Sequence, residues 1–123
     1  MNRVVLSKAD GEWFYRNILK TMTVFEAASK SDPEIKKRTT YRLLKSLKPK
    51  ALEVQAASEA GAESHTLMLS KKQKRGVQDM IDATFNLLSG RITTEYERRG
   101  RADKLEEIKV KTDNLKAMSR KFK

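Results

Sequence analysis

Asp79 and Asp82 stand three residues apart in a stretch of helical periodicity. That spacing puts both carboxylates on one helix face, where they could share a metal ion or a proton. Lys71, Lys72, Lys74 and Arg75 lie close by on the same stretch, so local ion pairing is the simpler account. The single histidine, His65, falls in a Gly- and Ala-containing connector with no cysteine anywhere to share a metal or activate a nucleophile. The five glycines are isolated, and the GxxxxGK[ST] phosphate loop is absent. Neither catalysis, nor a cofactor, nor a metal site is therefore expected. His65 reads as an exposed loop residue.

The basic residues carry a stronger signal. KKRTTYRLLKSLKPK, residues 36–50, holds seven cations and no anion. On a helical wheel Leu43, Leu44 and Leu47 cluster on one side with Thr40, while Lys37, Arg38, Tyr41, Arg42, Lys45 and Lys48 fall opposite. Such a helix would bury its leucines and show water a cationic face with a tyrosine in it. Solvated helices more often alternate signs. Further clusters follow at Lys71, Lys72, Lys74 and Arg75, at Arg98, Arg99, Arg101 and Lys104, and in the last eight residues, KAMSRKFK.

Cations in the first turn of a helix oppose its macrodipole, at some tenths of a kcal/mol each. The group 71–75 is placed that way, and an anion bound there would relieve the cost. Phosphate is the natural candidate, because first-turn N–H groups also suit it. The expected function is non-catalytic binding of nucleic acid, DNA or RNA, through backbone phosphates with little sequence specificity, or membership of a nucleoprotein assembly. Contacts are assigned to residues 37–48 and 71–75 and then to 98–104; no helix-turn-helix, zinc finger, RNP aromatic pair or GxxG clamp is present to read bases. The alternative is a small adaptor that docks a basic face on an acidic protein such as a polymerase, nuclease or capsid component, with Met118 and Phe122 as its apolar anchor. A membrane surface and a small-molecule substrate are disfavoured.

The charge is spread along the whole chain. Its net value is +11 over 123 residues, with a pI near 10.0. Residues 1–60 hold 12 Lys/Arg against 7 Asp/Glu and residues 61–123 hold 15 against 9, so the halves carry +5 and +6. No disulfide framework can form, and neither an apolar signal core nor a membrane-length apolar run is seen. A cytoplasmic protein is expected, nucleoid- or nucleoprotein-associated if phosphate is its partner.

Helices must position these charges, because apolar residues recur at helical spacing nearly throughout. Ser7 is placed to cap a first helix with a stripe at Phe14, Ile18, Met22, Phe25 and Ala28, flanked by Trp13. Ser31-Asp32-Pro33-Glu34 is a helix start signal, and the helix that follows over 33–60 should bend or break at Pro49. Ser70 is placed to cap a third helix with stripe Val77, Ile81, Phe85 and Leu88. A fourth should run from Thr93 or Thr94, with Leu105, Ile108, Thr112, Leu115, Ser119 and Phe122 at heptad-like spacing. The expected core is Phe14, Ile18, Phe25, Leu43, Leu47, Val77, Ile81, Phe85, Leu88 and Ile108.

The fold expected is all-α, a small bundle of about four principal helices, with at most a minor two-stranded pairing. One domain divides into a hairpin over 1–60, a connector over 61–69 and a second hairpin over 70–123. Val5-Leu6-Ser7-Lys8 matches Met68-Leu69-Ser70-Lys71 at an offset of 63 residues, with apolar positions beyond them in step. Two hairpins of similar build would produce this match, and so would a pairing of residues 3–6 with 66–69.

Overall fold

A computed structural model describes residues 2–91 and 102–122. Among these residues, four α-helices and a two-stranded antiparallel sheet make an all-α fold with a minor strand pairing. The chain forms two compact units, residues 1–73 and 74–123.

The first unit opens with β1 (Asn2–Ser7), which pairs antiparallel with β2 (Ser64–Leu69) in a register that sets Arg3 opposite Met68 and Leu6 opposite His65. Alternation does what it must on a pleated strand: Val4, Leu6, Leu67 and Leu69 are buried, while Arg3, Val5, Thr66 and Met68 face out. The segment expected as a connector, 61–69, is thus a turn at Gly61 (φ 91°) followed by a strand. Only glycine adopts that φ without strain. His65, expected in an exposed loop, is a half-buried strand residue with Nε2 3.5 Å from Glu53 Oε1.

Each strand leads through a serine into a helix. Ser7 Oγ accepts from the Asp10 amide at 3.2 Å and starts α1 (Lys8–Ser31); Ser70 Oγ accepts from the Gln73 amide at 3.1 Å and starts α3 (Lys71–Arg91). The match at an offset of 63 therefore has a structural counterpart, strand, serine cap and helix, and the two matching strands are the ones that pair. Each cap stabilises its helix by about 1 kcal/mol.

α1 buries Gly11, Phe14, Tyr15, Ile18 and Met22. Phe25 and Trp13, expected inside, are half-buried, and Ala28 is exposed. The chain then reverses through a 3-10 turn, Pro33–Lys37, capped by Asp32, whose Oδ1 accepts from the Glu34 amide at 3.2 Å. Arg38, extended at φ −70° and ψ 143°, separates this turn from α2 (Thr39–Glu59). The break expected at Pro49 lies instead at Arg38, and α2 runs through Pro49. Proline removes one backbone donor and crowds the carbonyl four residues earlier, that of Lys45. Both residues are exposed, while Leu47, Ala51 and Val54 are buried on the other side and hold the helix together.

α2 packs along α1 through Tyr41, Leu44, Leu47, Ala51 and Val54. This stripe is turned away from Leu43, which is half-buried, and towards Tyr41, which is 9% exposed rather than part of the cationic face. At Gly11 an added Cβ would stand 3.0 Å from Val54 Cγ1, so α1 and α2 approach closely there. Thr40, expected among the leucines, is exposed in the first turn of α2.

In the second unit α3 continues, and α4 (Ala102–Lys121) returns. Val77 and Ile81 are buried as expected, while Phe85 and Leu88 are half-buried. On α4 the heptad-like set is buried at Ile108, Thr112, Leu115 and Ser119, and Phe122, just beyond the helix, is buried as well. Thr112 satisfies its hydroxyl on the Lys109 carbonyl at 2.9 Å. Met118 and Phe122, expected as an exposed anchor, are 2% and 1% exposed and belong to the core. Residues 92–101, where the start of the fourth helix was expected, lie outside the described residues.

Candidate nucleic-acid interface

The first half of α2 is a cationic rod because its register is set by what it buries. With Tyr41, Leu44 and Leu47 directed at α1, residues 42 and 45 are forced outward, and Arg38, Arg42 and Lys45 are all exposed. The chain around them supplies few counter-charges. Lys37 Nζ meets Glu34 Oε1 at 3.3 Å and half-exposed Lys48 meets Glu26 Oε1 on α1 at 3.2 Å. Arg38, Arg42 and Lys45 form no ion pair among the described residues. Of the five α2-side cations assigned to binding, two are therefore partly neutralised at rest and three are not.

This end of α2 is locally unfavourable. Arg38 occupies the N-cap with no side-chain hydrogen bond to the first turn, and no acidic residue lies in that turn. Serine, threonine, aspartate or asparagine would serve better there, and anions would suit the positive helix end.

The start of α3 repeats the pattern, with Lys71 and Lys72 exposed in a first turn that also lacks acids. Here the cap is strong. Ser70 Oγ accepts from the Gln73 amide at 3.1 Å, and the Ser70 amide donates to Gln73 Oε1 at 2.9 Å, a reciprocal capping box. The same Gln73 side chain points its Nε2 at Ser46 on α2, 3.4 Å from the hydroxyl and 3.5 Å from the carbonyl. Ser46 follows Lys45 directly, so Gln73 brings the first turn of α3 up to the basic half of α2.

Within the first unit the Gln73–Ser46 contact sets the first turn of α3, with exposed Lys71 and Lys72, beside the part of α2 that carries Arg42 and Lys45; Arg38 lies two turns further along α2. Lys74 and Arg75 continue α3 in the second unit; Arg75 is exposed and Lys74 half-buried. Arg98, Arg99 and Arg101 lie outside the described residues. Sequence reasoning passed over Gln73 and Ser46. The S-x-x-Q spacing of residues 70–73 could have flagged the capping box, but nothing local announces that Ser46 is its neighbour.

Among the described residues no group of acidic and histidine side chains is arranged to hold a metal ion. Asp82 accepts a hydrogen bond from Ser119 Oγ at 2.8 Å, which ties α3 to α4. No described helix is long and apolar enough to cross a membrane. Comparison of the chain with protein-family models, curated proteins and solved structures finds no match.

Proposed function

We propose that this chain binds nucleic acid without catalysing a reaction, holding backbone phosphates with little sequence specificity, and that its contact surface is the α2–α3 cationic face. The observation that carries this reading is the Gln73–Ser46 hydrogen bond, which sets the start of α3 beside the basic half of α2; among the described residues Arg38, Arg42, Lys45, Lys71 and Lys72 form no ion pair. Arginine offers a fork of donors matched to phosphate oxygens, and hydroxyls such as those of exposed Thr39 and Thr40 add neutral contacts. Placing cations at helix starts destabilises the free protein slightly, and bound phosphate reverses the sign of that term.

Binding to unrelated duplex DNA and structured RNA, titrated over salt concentration, tests it. Neutralising about six phosphates gives a log–log slope near −5. Arg38→Glu combined with Arg42→Glu is expected to abolish binding and leave melting nearly unchanged. Absence of binding by the wild type at low salt would overturn the reading and leave docking on an acidic protein, whose affinity responds less steeply to salt.

A further inference from the structure

Between α3 and α4, inside the second unit, lies an open cleft of about 370 Å³ lined by Gln78, Asp82, Phe85, Leu115, Lys116, Ser119 and Arg120. Its volume falls within the range of small-ligand sites, and its lining is chemically mixed. Gln78 and Asp82 stand one turn apart on α3, with Phe85 three residues further, so an amide, a carboxylate and an aromatic ring share one wall. Lys116 and Arg120 stand one turn apart on α4 and are both exposed. Buried Leu115 supplies an apolar surface. Asp82 takes the Ser119 hydroxyl on Oδ1, which fixes its orientation, and a carboxylate has further acceptor positions to offer.

We infer that this cleft receives one unpaired nucleotide of a single strand. The ring of Phe85 stacks on the base, Asp82 and Gln78 accept from and donate to its polar edge, and Lys116 and Arg120 hold the flanking phosphate. Stacking on an aromatic ring is tolerant of sequence, and unpaired bases are recognised by such a ring together with edge contacts. A bare phosphate site would have no use for Phe85 and Leu115. An apolar pocket would not present Asp82 and Gln78 together. The inference rests on the nucleic-acid reading above and adds to it a preference for single-stranded segments, located in the other unit.

The test compares a twelve-nucleotide single strand with its duplex, using wild type, Phe85→Leu, Phe85→Tyr and Asp82→Asn, with backbone amide NMR shifts recorded for each complex. Phe85→Leu is expected to weaken single-strand binding about tenfold and leave duplex binding unchanged, and Phe85→Tyr is expected to restore it. Amide shifts should move at Gln78, Asp82, Phe85 and Ser119 with the single strand only. Shifts confined to residues 38–48 and 71–73, with no loss in Phe85→Leu, would overturn the cleft site while leaving the α2–α3 face standing. Loss of all binding by wild type would overturn both. Shifts at the cleft on adding an acidic, leucine-rich peptide and none with the single strand would overturn it in favour of a protein segment.

Discussion

Gln73 Nε2 lies 3.4 Å from Ser46 Oγ, and the Oε1 of the same side chain accepts the Ser70 amide at 2.9 Å. One side chain therefore both closes the capping box of α3 and holds that helix start against α2. Gln73→Glu separates the two roles. A glutamate completes the box equally well and suits the helix dipole, so the melting temperature should stay within about 2 °C of wild type. Nucleic-acid affinity should fall severalfold, because a carboxylate then stands among Lys45, Lys71 and Lys72. A salt titration beside a thermal melt checks both, and unchanged affinity would mean that the junction is only structural.

Arg38 is the uncapped N-cap of α2. Replacing it with aspartate should stabilise the protein by about 1 kcal/mol, seen as a higher denaturant midpoint, and weaken nucleic-acid binding. A change that gains stability and loses binding would mark Arg38 as kept for its partner. Loss of stability would show that its aliphatic stem packs in a way exposure does not reveal.

Pro49 sits inside α2. Pro49→Ala restores a donor to the helix ladder and removes the crowding at Lys45. The expected gain is on the order of 1–3 kcal/mol, measured by urea unfolding. A neutral result would mean that water already satisfies the Lys45 carbonyl at little cost.

Gly11 and Val54 bring α1 and α2 close together, with 3.0 Å between Val54 Cγ1 and the position of an added Cβ. Gly11→Leu should destabilise by roughly 2–3 kcal/mol through overpacking. Val54→Ala in the same chain should recover part of that loss, so that the double-mutant cycle shows coupling. Additive losses would place the strain elsewhere.

Phe122 is 1% exposed near the end of the chain. Phe122→Ala should cost about 3–5 kcal/mol. If unfolding shows almost no loss, the residue would again qualify as a surface anchor for a partner.

Much of the fold was legible without coordinates. Serine caps at positions 7 and 70 follow from the hydroxyl's fit to first-turn amides, and the buried spacing of Ile108, Thr112, Leu115, Ser119 and Phe122 follows from helical periodicity. The strand pairing of residues 3–6 with 66–69 was one of the two explanations that the repeated Leu-Ser-Lys pattern allowed, and β1 does pair with β2. Tyr41 is buried and Leu43 only half-buried because Leu44 and Leu47 can share a helix face with either, and local spacing does not choose between them. α2 continues through Pro49 because tertiary packing on one face outweighs one lost hydrogen bond on the other.

The sequence alone determined that this chain is helical and strongly basic, since periodicity and charge are properties of local runs. It could not say which basic runs face one another. What the tertiary structure adds is the pairing of β1 with β2 and the reach of Gln73 to Ser46, twenty-seven positions away, which sets the first turn of α3 beside α2. Contacts of that sequence separation depend on how whole elements pack, because each helix can bury its stripe against more than one neighbour. Where the positive charge adds up is therefore a property of the tertiary structure.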